Sequence, residues 1–211
     1  MRTKSNSSLS VKAPQLSLFP EIKKEIPITD TSVLYEYFFI ISPPEATKQK
    51  IKSLKQSLHK AVSLSAYNLT VSPVSVMSFN SFSPVNDHFL DVVKNLLSGM
   101  PSFKMAFNGF DHFVHGGASN TIYAKLGDTE KITTLYKELH ALLGLKPRVF
   151  TPHLTIARTI PRIHFNKSFN LINKHSFKEE FLCEQVTILE RKIHHGVVSK
   201  YKVLKEIKLK S

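Results

Sequence analysis

Apolar and polar positions follow no period over the first 30 residues and fall into regular alternation after that. Residues 1–30, rich in Ser, Lys and Pro, predict a disordered tail, and residues 31–211 predict one folded domain. The run Val33 to Ile41 is aromatic and β-branched, as in a largely buried strand. Ser42-Pro43-Pro44-Glu45 has the form of a capping box, and Ile51, Leu54, Leu58 and Ala61 recur at helical spacing up to about residue 63. On this reading lysines and glutamines fill the outer face of that helix. A strand containing "SPVSVMSFN" follows.

The later half repeats the order. "NTIYAKL" (120–126) alternates like a strand, and Asp128 is placed to cap a helix striped by Ile132, Leu135, Tyr136, Leu139 and Leu143. Gly144 stops the helix, and Val149 to Thr159 is the matching strand, with "TPHLTIAR" inside it. Between these β-α-β units lie a helix starting near Pro84, with Val85, Phe89, Val92 and Leu96 as its stripe, and a strand "FKMAFNGFDHF". A short helix near 162–174 and two strands, "FLCEQVTILERK" and "KYKVLKEIKL", close the chain as a hairpin around "IHHGVVS". The expected class is α+β, mostly antiparallel sheet in two lobes related by a pseudo-twofold axis.

The symmetry has a local echo. Ser72-Pro73-Val74-Ser75-Val76-Met77-Ser78 lies over Thr151-Pro152-His153-Leu154-Thr155-Ile156-Ala157, so two valines stand where the second copy has His153 and Thr155. Alternation puts His153 and Thr155 on one face and Leu154 and Ile156 on the other. An imidazole exchanges a proton near neutral pH, a hydroxyl two residues on donates to an oxyanion, and Arg158, read as continuing that side, holds a phosphate. Ser72 and Ser78 flank the valines as further binding groups. His112 and His115 in "GFDHFVHGG", and His194 and His195 in the final turn, are the remaining histidines of interest, with His115 placed to reach the groove. No Cys or carboxylate cluster supports a metal, and none is expected.

Composition narrows the setting. The chain has 211 residues, 42% hydrophobic, with no apolar run long enough for a membrane helix and no signal-peptide core, which predicts a cytoplasmic monomer. Its one cysteine, Cys183, reads as core filler. The formal net charge is +13, and residues 1–30 carry only five of the 29 basic side chains, so the folded part is itself basic. That favours a polyanion or a phosphorylated ligand.

"PHLTIAR" resembles the H-x-T-x motif of the 2H phosphoesterase superfamily, which includes bacterial RNA 2',3'-cyclic phosphodiesterases, also called 2'-5' RNA ligase-like proteins. The resemblance runs from about residue 33 to 210, through "SPPE", "TIYAKL" and the closing "VTILERK" hairpin. It implies a bilobal α+β fold with outer helices around a central groove and one motif per lobe. It also implies a metal-free, cofactor-free mechanism in which one histidine is the general base, the other the general acid, and two hydroxyl residues bind the phosphate. His153 and Thr155 meet the second motif, while Val74 and Val76 occupy the first. Asn68 in "NLTV" has the right shape but is no general base. The implied ligand is an RNA or nucleotide phosphodiester. The alternative is a catalytically inactive nucleotide- or RNA-binding module.

A second motif lies in the tail. Gln15, Leu16, Leu18 and Phe19 in "QLSLF" resemble the peptide by which bacterial replication and repair proteins dock on the DNA sliding clamp, glutamine outside and apolar side chains in a cleft.

Overall fold

A computed structural model describes residues 33–62 and 70–211. The QLSLF segment and Asn68 lie outside the described residues. The elements are β1 (Val33–Ile41), α1 (Glu45–Val62), β2 (Val74–Ser81), α2 (Asp87–Gly99), β3 (Phe103–His115), β4 (Ser119–Leu126) and α3 (Glu130–Leu142). They continue with β5 (His153–Pro161), α4 (Arg162–Asn173), β6 (Lys178–Cys183), β7 (Gln185–His194), β8 (Val197–Val198) and β9 (Lys202–Lys208).

Two antiparallel sheets result. One runs β2-β1-β7-β8 with β9 also on β7, and the other runs β5-β4-β3-β6. The strands carrying the echoed segments, β2 and β5, are edge strands of their sheets and approach each other. The helices cross over. α1 leaves the first sheet and packs on β5 and α4 of the second, and α3 leaves the second sheet and packs on β2 of the first.

Several sequence expectations need correction. "FLCEQVTILERK" is two strands: β6 pairs with β3, β7 pairs with β1, and the chain changes sheets at Glu184. The apolar run continues through the crossing because both sheets bury it, so periodicity does not reveal the break. The buried stripe of α2 is Phe89, Val93 and Leu97, one residue on from Val92 and Leu96. The helix begins later than Pro84, with Asn86 as its cap: the Asn86 side chain accepts from the Phe89 N–H at 2.9 Å. β5 starts at His153, and Val149 is 98% exposed in the loop before it.

Other local signals act as read. Gly144, at φ +64°, follows the last turn of α3, and the Leu145 N–H reaches back to the His140 carbonyl at 2.8 Å. Cys183 is buried in the core, and that burial pushes its thiol up to about 12, leaving it inert at neutral pH.

Tyr37 ties β1 to the start of α2. Its fully buried ring stacks on Phe79 with centroids 5.0 Å apart, and its hydroxyl accepts the Val85 N–H at 3.0 Å. Tyr37→Phe keeps the packing and leaves that N–H without its partner, so urea denaturation is expected to show a loss of roughly 1 to 2 kcal/mol.

Candidate active site

Cross-strand partners share a face, so the register shows what lies beside His153. His153 pairs with Lys125, and Thr155 with Tyr123, which pairs in turn with Asp111. Phe113, two residues along β3 from Asp111, is on the same face, and its ring stacks on Tyr123 at 4.3 Å. Both rings contact the imidazole, Phe113 edge-on at 5.0 Å and Tyr123 at 5.1 Å.

The imidazole is held by its Nδ1, 2.7 Å from the Thr151 carbonyl oxygen. A carbonyl only accepts, so Nδ1 carries the proton and Nε2 presents a lone pair. Burial pushes the pKa of His153 below its ordinary value, the bond to Thr151 opposes this, and the Arg158 charge adds to the lowering. The ring is therefore neutral at pH 7, in the form a general base needs.

Arg158 reaches this face through backbone irregularity. Strict alternation from Thr155 would point it to the opposite side. The register shifts between Tyr123 and Ile122, leaving Ile156 as an extra residue, so Ala157 falls opposite Ile122 and Arg158 returns to the face of Thr155. A second shift follows, and Thr159 there takes φ +54°. A β-branched residue in that region is strained by about 1 to 3 kcal/mol, a cost met where Arg158 is aimed. Arg158 Nη2 lies 3.5 Å from Thr155 Oγ1, at the limit of a hydrogen bond, and Thr155 is only 4% exposed.

Lys55, which the sequence reading left on a solvated helix face, is only 4% exposed. It falls with Ile51, Leu54 and Leu58 on one helical stripe, and that spacing is the sequence signal of its burial. Its ammonium donates to the Thr70 carbonyl at 2.8 Å. Desolvation, then repulsion from Arg158, brings its pKa down to about 8. Arg158 and the imidazole thus flank a buried threonine hydroxyl, with the Lys55 charge close enough to act on Arg158, an arrangement able to hold a phosphate.

The first echo is different in kind. Val74 is 0% and Val76 2% exposed, and both belong to the hydrophobic core. Val74 pairs with Ile41, and a register shift leaves Val76 extra, so Ser75 falls opposite Ile40 and Ser78 opposite Phe38. Strict alternation would put Ser72, Val74, Val76 and Ser78 on one face, and the shift breaks that arrangement. Ser78 is exposed on the face of Phe38, and Ser72 lies in the segment ahead of β2.

The model of the "2'-5' RNA ligase superfamily" matches residues 43–194, a span containing both echoed strands. The chain belongs to the 2'-5' RNA ligase superfamily, the 2H phosphoesterases. A Geobacillus sp. (strain WCH70) protein named "Putative phosphoesterase" is 25% identical over 160 residues, 71% of each chain. The fold matches TT0787 of Thermus thermophilus at TM-score 0.58 and 15% identity, over 83% of this chain and 98% of that one. It also matches E. coli LigT in complex with 3'-AMP at TM-score 0.52 and 12% identity, over 84% and 99%.

Within this 2H phosphoesterase fold, neither loop histidine faces His153 across the groove. His115 pairs with Ser119, which pairs with Pro161 at the far end of β5, and its Nε2 is 2.9 Å from Thr121 Oγ1. His112 lies on the opposite face of the sheet, against Phe165 and Phe169. His194 and His195 are exposed in the β7–β8 turn, their rings 4.2 Å apart. Among the described residues no three His, Cys, Asp or Glu side chains gather to hold a metal ion, and no helix is long and apolar enough to cross a membrane.

Two outcomes follow. Val74→His places an imidazole in the apolar core, so it is expected to lower stability by roughly 2 kcal/mol in urea denaturation. For Lys55, the unfolded chain keeps its proton up to 10.5 while the folded protein releases it near 8. Between those values the unfolded state binds more protons and stability rises with pH. That rise is expected to be smaller in Lys55→Met, measured by denaturation at pH 7.5, 9 and 10.

Proposed function

We propose that this 2H phosphoesterase binds an RNA or cyclic-nucleotide phosphodiester against Thr155 and Arg158 and hydrolyses it with His153 as its single proton-transfer side chain. The observation that carries the reading is the contrast between the two echoed strands: His153 offers a free Nε2 lone pair, and its counterpart is a valine closed in the core. Ligands of a relative point the same way, since LigT of E. coli has been crystallised with 3'-AMP and with ATP.

The chemistry follows from the donors present. Nε2 takes a proton from water as the water oxygen attacks phosphorus. The P–O bond to one ribose oxygen breaks, and that oxygen takes its proton from solvent. Arg158 and the Thr155 hydroxyl carry the charge that builds on the phosphoryl oxygens, and buried Lys55 strengthens the positive potential behind them. Phe113, half-buried beside His153, offers a surface for the base or ribose. Without a second acid or base, turnover falls about 10² to 10⁴ below that of a two-histidine site.

A second reading is a protein that binds such a ligand without cleaving it, favoured by the same buried valines. Recruitment to the sliding clamp through Gln15, Leu16, Leu18 and Phe19 would suit either.

The test is hydrolysis of nucleoside 2',3'-cyclic phosphates followed by chromatography. Slow turnover is expected, reduced a further 10²-fold or more in His153→Ala. kcat/KM should stay level from pH 8 down through neutrality and drop only below the ordinary imidazole value of 6.5, because His153 must be neutral to act. Binding with no turnover, equal in wild type and His153→Ala, would leave the non-cleaving reading.

A further inference from the structure

The face of the second sheet opposite His153 carries a separate cavity of about 410 Å³. Its walls include His112, Asn120, Arg162, Phe165 and Asn166, with Gly116 and Gly117 beside them. The register separates it from the groove: His112 pairs with Ile122 and Asn120 with Val114, whereas Phe113, Tyr123 and Thr155 lie on the other face.

Two polar side chains on this wall lack a hydrogen bond from the protein. Asn120 is only 6% exposed and its carboxamide makes no hydrogen bond among the described residues. His112 Nδ1 is the buried side-chain atom left without one, its nearest acceptor, Asp111 Oδ1, being 3.5 Å away, and a buried polar atom in that state costs about 1 to 3 kcal/mol. Asn166 brings a second carboxamide from the first turns of α4, and no carboxylate lines the space. Phe165 forms an aromatic wall, stacked on Phe169 at 5.4 Å and in contact with His112 at 4.8 Å. Arg162 supplies a cation at the start of α4, where the helix dipole also favours an anion.

The mixture of groups discriminates between ligands. A bare anion needs donors only, and the two amide oxygens would oppose it. A nucleobase edge uses amide donor and acceptor together, its flat face suits an aromatic wall, and its attached phosphate suits Arg162. We propose that this cavity is a second nucleotide-binding site, distinct from the groove, with the base against Phe165, its edge on Asn120 and Asn166, and its phosphate at Arg162. The nucleotide is either free or the end of an RNA strand.

The experiment is calorimetric titration of the full chain with AMP, UMP, ribose 5-phosphate, inorganic phosphate and a 5'-phosphorylated tetranucleotide. It uses wild type, His153→Ala with Arg158→Ala to disable the groove, and Arg162→Gln with Asn166→Ala, both exposed positions, to disable the cavity. The groove-disabled protein is expected to retain one site, with a mononucleotide bound at least tenfold tighter than ribose 5-phosphate. Adding the cavity changes to it should weaken that binding tenfold or more. Tighter binding of the tetranucleotide than of AMP would assign the site to a strand end, and equal binding to a free nucleotide. The proposal is overturned if the groove-disabled protein binds no nucleotide, if ribose 5-phosphate binds as well as AMP, or if the cavity changes leave affinity unaltered.

Discussion

The meeting of the edge strands β2 and β5 sets what the rest of the molecule can do. Leu154 and Ile156 from one strand and Val74 and Val76 from the other are all within 2% of full burial, and they belong to one continuous core shared by both sheets. Hydrocarbon on both sides of such a contact stabilises it by about 25 cal/mol for each Å² removed from water. The same packing denies the first strand a polar side chain at positions 74 and 76. A site that would be symmetric by fold is thereby one-sided in its chemistry.

On the polar side, the working parts come from geometry that opposes regular strand structure. The Thr151 carbonyl sits just ahead of β5, and the first register shift of β5 brings Thr155 and Arg158 to one face. The cations then act on their neighbours: Arg158 lowers the proton affinity of both His153 and Lys55. An anion placed among them would reverse each of those shifts, since it stabilises every protonated form at once. Binding of an anion there would therefore be linked to proton uptake.

Much of this was legible in the sequence, and the exceptions have physical causes. The β-α-β order, the stripe of α3, its Gly144 stop and the pairing of His153 with Thr155 follow from periodicity and local backbone preference, which act within a few residues. The change of sheet at Glu184 does not, because a run buried by two different sheets looks like one buried strand. Arg158 reaches its face only through bulges, which alternation cannot anticipate. Lys55 carries a charge that suits a solvated face, but its place on the apolar stripe buries it. Nothing in the local pattern marks Asn120, since its burial comes only from the packing of α4 over β4.

The crossing of the helices has a consequence for how the chain is made. α1 leaves the ribosome well before the surface it covers, since β5 and α4 are built from residues beyond 150. Its apolar stripe and the Lys55 ammonium must wait in water while about half the chain is synthesised. The docking of α1 thus waits on the later half of the chain.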